Sequence, residues 1–286
     1  MESLAVIVPT LERPAAVQRL LPSVIAQSPS SSEIVVVDQS GPAARDELAG
    51  AIAGLGDPRV THLAHGPPGL PAARNAGLAA TRGGLVLFLD DDVELLPGAI
   101  AGHLAAYRDP SLGGVVGRIV ERRLRPNAWR TVNRVGRSGR VRTRLDGPDA
   151  CEVETLKGAN MSLRRIAIQA AGGFDPGFAG TSLFEDADLT ARVRRMGWRL
   201  RYEPDAAVIH RHDPDGGVRT GRPDGPWWRF HNAARFVRRH HGLDAMPELL
   251  VTHALLAARE GLRQRDPRRV AELLRALGAG WWATSA

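Results

Sequence analysis

A chain of 286 residues that is 43% hydrophobic and 24% charged has the apolar content to bury a sizeable core. That excludes a disordered chain and a collagen-like repeat, and fits one large α/β domain with an appendage. A net charge of +7 favours anionic partners, yet charge alone does not choose among a lipid surface, a diphosphate-linked molecule and nucleic acid.

In chain order, Ser3–Val8 reads as a short apolar strand, followed by a helix over Pro14–Ile25 with Val17, Leu20, Leu21 and Val24 at i, i+3, i+4 and i+7. Glu33–Val37 predicts a second strand, Ala43–Leu55 a helix, Arg59–Ala64 a third strand and Ala72–Ala80 a third helix. Leu85–Leu89 is apolar on both faces, as a central parallel strand should be, and Pro97–Tyr107 opens a helix with proline at its first position. This alternation describes a doubly wound α/β half, in which ligands bind beyond the carboxyl ends of the strands. The residues there are Pro9–Thr10, Asp38 and Asp90–Asp92.

The second half is less regular. Val115–Val120, Glu152–Leu156 and Asn160–Leu163 are strand-like, Arg164–Ala171 and Asp186–Met196 helical, and Leu200–Tyr202 and Ala206–Ile209 read as short strands. Ten arginines fall between Arg118 and Arg144 with little periodicity, which predicts an exposed basic excursion or a merely solvated loop. Glycine, proline and charge at 214–226 mark a boundary before a helical tail. In that tail Asp266 and Pro267 start a helix whose stripe of Val270, Leu273, Leu274 and Leu277 packs on the core and ends before Gly278, a membrane-surface role with Trp281 and Trp282 at the interface being the other reading. No apolar run reaches the ~18–20 residues of a spanning helix, so none is expected. Pro9, Glu12, Arg13 and Pro14 interrupt the first apolar stretch, so no secretory signal is expected and the chain is expected to begin near Met1. The single cysteine, Cys151, excludes an internal disulfide and fits a reducing cytoplasm.

The chemical centre is LVLFLDDDVELLPGAI, an apolar strand ending in three consecutive carboxylates. Carboxylates this close repel one another unless a cation neutralises them, so Asp90, Asp91 and Asp92 suggest a metal site, a solvated acidic turn being the other reading.

The segments VIVPT, VVVDQS, PAARNAG, FLDDDV, KGANMSLRR, GGFD, EDADL and AVIH fall in the order in which they occur in family-two glycosyltransferases of the bacterial cell-envelope and polysaccharide type. Along residues 1–212 the chain resembles that family. The resemblance implies a GT-A-type, Rossmann-like mixed sheet flanked by helices, with a nucleotide-sugar-binding half at 1–110, an acceptor and catalytic half at 111–212, and a linker and helical tail at 213–286. It implies donor contacts from Pro9, Asp38, Arg74, Asn75, Asp90 and Asp91. It further implies a divalent metal, Mn2+ or Mg2+, on Asp90, Asp92 and His210, with His212 the competing ligand. Gly158, Asn160 and Glu185 would line the acceptor site, and Asp186 would be the catalytic base of an inverting transfer to a saccharide or lipid-linked hydroxyl. Gly172–Asp175 would shape the loop before the catalytic helix, and WWRFHNAARF at 227–236 an amphipathic helix near the acceptor cleft.

Three other classes share some of these features. A nucleotide-dependent oxidoreductase lacks its glycine-rich phosphate loop here. A polyanion-binding protein on a non-catalytic scaffold is suggested by charge, although two tyrosines and no paired cysteines make nucleic acid a poor partner. A nucleotidyltransferase would use acidic residues and a metal but lacks its activating loop. The expected location is cytoplasmic, with the basic excursion allowing peripheral contact at the inner face of the plasma membrane.

Overall fold

A computed structural model describes residues 3–121, 131–217 and 224–283. The first half alternates as its pattern predicts: β1 (Leu4–Thr10), α1 (Pro14–Gln27), β2 (Glu33–Asp38), α2 (Pro42–Leu55), β3 (Val60–Ala64), α3 (Leu70–Ala80) and β4 (Leu85–Leu89). Then follow β5 (Val93–Leu95), α4 (Ala99–Ala106), β6 (Leu112–Glu121), β7 (Val132–Val135), β8 (Val141–Arg144), β9 (Cys151–Glu152) and β10 (Asn160–Arg164). The chain continues with α5 (Arg165–Ala170), α6 (Glu185–Arg195), β11 (Arg199–His210), α7 (Gly225–His241), α8 (Met246–Gln264) and α9 (Pro267–Trp282).

Among the described residues, nine strands form one mixed sheet in the order β3-β2-β1-β4-β10-β6-β11-β5, with β9 on β11. The first four are parallel; β10 runs antiparallel between β4 and β6, and β11 pairs parallel with β6. Every residue of β1 and β4 is buried, which is why they read as unbroken apolar runs. The α1 stripe of Val17, Leu20, Leu21 and Val24 packs beneath them, each side chain contributing about 1.5–3 kcal/mol by leaving water.

Several expectations are corrected. The two short strands expected at 200–202 and 206–209 are one strand, β11, with a register irregularity between Glu203 and Val208. That bulge drives the Ala206 carbonyl against β6, where a Cβ at Gly117 would sit 1.9 Å from it, so only glycine fits. The strand expected over Glu152–Leu156 shrinks to Cys151–Glu152. Within the basic excursion, residues 122–130 lie outside the described residues, but 132–144 form a β7–β8 hairpin. In the tail, Asp266 does cap α9 by accepting from the Arg268 amide at 2.9 Å, yet the helix passes Gly278 and runs to Trp282.

Two hydrophobic cores result. The larger fills both faces of the sheet. The smaller gathers α7, α8 and α9 around Phe178, Phe184, Ala187 and Val135, and it is here, rather than on the sheet, that the α9 stripe packs, with Leu274 left outward. Ionic contacts tie this second core to α6. Asp188, fully buried, accepts from His240 Nε2 at 2.8 Å, Arg192 Nη2 at 2.7 Å and Arg239 Nη1 at 3.0 Å. Asp175 takes Arg235 at 2.9 Å and Arg239 at 2.8 Å.

Candidate active site

Beyond the carboxyl ends of β1, β2 and β4 lies a cleft of about 250 Å3, lined by Pro9, Thr10, Arg13, Gln39, Asp90–Asp92 and His210 among others. Strand β4 carries the chain to the carboxylates, and β5 then pairs antiparallel with β11 so that His210 stands opposite Val93. That pairing, across 118 residues of sequence, sets His210 Nε2 at 3.1 Å from Asp92 Oδ1. Asp91 accepts from Thr10 Oγ1 at 2.7 Å and from Arg13 Nη1 at 3.0 Å, and the same guanidinium nitrogen lies 3.2 Å from Asp92 Oδ2.

The three carboxylates differ electrostatically. Burial pushes Asp91 up to about 7, against the pull of Arg13 and Thr10. Asp92 is also raised by burial, but the His210 hydrogen bond and charge, with Arg13, outweigh it and hold it below the usual carboxylate range. Asp90 is partly exposed and paired with Arg74 at 3.3 Å.

The donor set fits a divalent cation. Ligand atoms of Asp90, Asp92 and His210 all lie within 4.8 Å of one another. His210 Nδ1 is buried with no hydrogen-bond partner among the described residues. Two carboxylate oxygens and one imidazole nitrogen suit Mn2+, and Mg2+ less closely. His212, expected to follow His210 along a strand, instead sits beyond the end of β11 at φ +53°, largely exposed. Its ring lies 3.9 Å from that of His210, and Glu121, His210 and His212 make a second candidate set sharing His210.

Arg74 links this cleft to a second cavity. It is 1% exposed, faces Phe88 and Phe174, and bridges Asp90 to Glu185 at the start of α6. Gly158 makes room for it: a Cβ there would lie 2.3 Å from Arg74 Nη2. Gly158 also donates its amide to Asp186 Oδ2 at 2.9 Å. Glu185 and Asp186 line a cavity of about 480 Å3 with the β7–β8 hairpin, α7 and α8, where Arg140, Lys157 and Arg229 supply positive charge. The chain enters α6 through Ser182 and Phe184, both non-glycine residues at positive φ, a local strain set immediately before the two carboxylates.

Other expected site residues are held elsewhere. Asp38 is fully buried, accepting from the Ser40 amide at 2.8 Å and lying 2.9 Å from His62, and its neighbour Gln39 lines the cleft. Burial raises Asp38, but Ser40 and His62 outweigh it and leave it below the usual range. Asn75 clasps the Phe174 backbone, donating to its carbonyl at 2.8 Å and accepting from its amide at 2.9 Å. Asn160 is fully buried, donating to Ala206 O at 2.8 Å and lying 2.8 Å from His103 Nε2. Neither Asn75 nor Asn160 lines either of these two cavities. Thr10 stands where the sequence places it, at the end of β1, but Arg13 and Gln39 were missed. So was the segment beyond β11: Arg13 donates to the carbonyls of Asp213 at 2.7 Å and Asp215 at 2.5 Å, and the Gly217 amide donates to Leu11 O at 2.8 Å. This segment closes one rim of the cleft, and the sequence shows it only as a polar run.

A mixed sheet with an acidic cleft at the switch from parallel to antiparallel pairing is the GT-A architecture. The profile of glycosyl transferase family 2 matches residues 5–171, over half of the chain, and the chain belongs to that family. A pre-mycofactocin glycosyltransferase of Mycobacterium tuberculosis is 32% identical over 216 residues, covering 72% of this chain and 42% of its own length. The chain thus spans less than half of that relative. Among solved structures, Staphylococcus aureus TarS 1–349 in complex with UDP-GlcNAc superposes with a TM-score of 0.69 at 18% identity, covering 97% of this chain and 80% of that one. The mannosyltransferase PcManGT of Pyrobaculum calidifontis, with GDP-Man and Mn2+, gives 0.60 at 18% identity, covering 98% and 87%. At these identities the likeness is one of fold.

Proposed function

We propose that the chain transfers a sugar from a nucleotide-sugar donor to a hydroxyl of a saccharide or lipid-linked acceptor, with inversion at the anomeric carbon. The observation carrying this reading is the Asp90–Arg74–Glu185 chain of ion pairs, which joins a cleft with a metal-ligand set to a second cavity presenting Asp186. Asp90, Asp92 and His210 would hold a divalent cation, Mn2+ or Mg2+, which when bound stabilises charge developing on the departing diphosphate. Arg13 would add a guanidinium to the same diphosphate, and Pro9, Gln39 and Asp91 would shape the donor cleft. Asp186, fixed by the Gly158 and Ala187 amides, would take the acceptor proton as the new C–O bond forms and the bond to diphosphate breaks. The second cavity would take the acceptor, its arginines and lysine suiting a phosphate-bearing one. Among the described residues no helix is long and apolar enough to cross a membrane. Peripheral contact with an anionic membrane surface through the basic segment 118–144 completes the reading.

Thermal-shift and donor-hydrolysis screens with UDP-, GDP- and dTDP-sugars, with and without Mn2+, test it. The expected result is metal-dependent stabilisation by one nucleotide class, lost in Asp92→Ala. Asp186→Asn should retain the stabilisation but not transfer. Binding of no nucleotide, or a retained anomeric configuration in the NMR spectrum of the product, would falsify the assignment.

A further inference from the structure

Helix α8 carries two apolar faces, and the described residues cover one of them and leave the other exposed. Leu249, His253, Ala257 and Gly261, spaced by four, are buried against the rest of the second core. On the other side Val251, Leu255, Ala258 and Leu262, at spacings of four, three and four, fall on one exposed stripe, with Leu255 69% and Leu262 80% exposed. Leu250 and Ala254 widen the stripe on one flank and are exposed as well. The other flank carries Arg259 and Arg263, four residues apart and both exposed. Helix α9, packed on α8, repeats the pattern, with Ala271, Leu274 and Trp282 outward and Arg268 and Arg275 beside them.

Isolated exposed leucines are ordinary, but a continuous stripe along most of a 19-residue helix is not. We infer that this face of α8 docks on the surface of an anionic lipid bilayer, the leucines and valine entering the acyl boundary and the arginines reaching the headgroup phosphates. Charge selects this occupant. The stripe is bordered by guanidiniums, that of Arg259 and that of Arg263, the latter 2.6 Å from Glu260, whose long stems can lie along apolar surface while their heads stay among phosphates, and the whole chain carries +7. The described part of segment 118–144 meets α8 on the side of Leu249 and His253, with Arg137 2.8 Å from Glu248, and the docking of the exposed stripe requires neither that segment nor the transferase reading.

Sedimentation of the full chain with vesicles of equal phosphatidylglycerol and phosphatidylcholine, against phosphatidylcholine alone, tests it, with light scattering on the lipid-free protein. The wild type should partition to anionic vesicles, with Leu255→Asp/Leu262→Asp weakening this about tenfold or more, and Arg259→Ser/Arg263→Ser weakening it in a salt-dependent way. Because all four positions are exposed, melting temperatures should be unchanged, which separates lost docking from lost folding. No preference for anionic vesicles overturns the inference. Anionic binding that survives the leucine pair also overturns it and assigns the contact to segment 118–144. A lipid-free dimer dispersed by the leucine pair overturns it in favour of a second copy of the chain.

Discussion

Replacing Asp188 with asparagine should loosen the first turn of α6 from α7 without touching either cavity lining. Burial alone would raise this carboxyl, but His240, Arg192 and Arg239 outweigh it and bring it down to about 2. The difference from an ordinary carboxylate corresponds to roughly 2–3 kcal/mol of stability at neutral pH. Removing one member of a buried charged hydrogen-bond cluster gives the same order, about 3 kcal/mol, because Arg192 loses its counter-charge and Arg239 is left with Asp175 alone. Burial keeps His240 below its usual range, so its neutral ring donates through Nε2 and accepts from Arg195 at Nδ1. Urea unfolding of Asp188→Asn at pH 7 should therefore show about 2–3 kcal/mol less stability, and its melting temperature should fall by about 5–10 °C. The sign with pH follows from the lowered folded value. The stabilisation is complete above about 4 and disappears as pH falls towards 2, so the wild-type advantage must shrink on acidification. A loss under about 0.5 kcal/mol at pH 7, or an advantage that grows in acid, would refute this account of the α6–α7 junction.

Two further outcomes follow from buried groups elsewhere. His103, enclosed by Asn160 and Ser162, is driven by burial down to about 4, so the unfolded chain binds a proton that the folded one refuses between about 6.5 and 4. Stability should drop by about 2 kcal/mol between pH 6.5 and 5, and His103→Gln should lack that increment in denaturant titrations; parallel curves would sink the claim. Arg13→Ala should weaken UDP binding in the presence of Mn2+ by about tenfold in calorimetry. Unchanged affinity would mean that Arg13 serves only to fasten 213–217.

What the sequence showed and what it hid divide along the range of the contacts involved. Strands β1 and β4 and helix α1 announce themselves because both faces of the strands and one stripe of the helix are buried locally. The three carboxylates at 90–92 stand out for the same reason, being adjacent in the chain. Hairpin β7–β8 was invisible because every residue of β8 is exposed and two of its four are arginine, leaving no alternation to read. Three-residue β5 is too short for a pattern, though it is the strand that fixes His210 beside Asp92. Arg13 looked like an interruption of an apolar run, since its partners lie 78 and 200 residues away. Asn160 carried a motif's signature, while its side chain is spent on the β11 bulge and His103.

The wider cavity draws one wall from residues 155–157 and the start of α6, and the others from the β7–β8 hairpin and from helices α7 and α8. Val141, Arg229 and Leu256 shape it, yet none of them takes part in the register of the parallel strands. Substitutions there can recut the cavity while the partners of Asp90, Asp91 and Asp92 stay as they are. A lineage built on this chain is therefore free to change what enters the larger chamber without rebuilding the narrower one, and variation among its members should concentrate in 132–144 and 225–264.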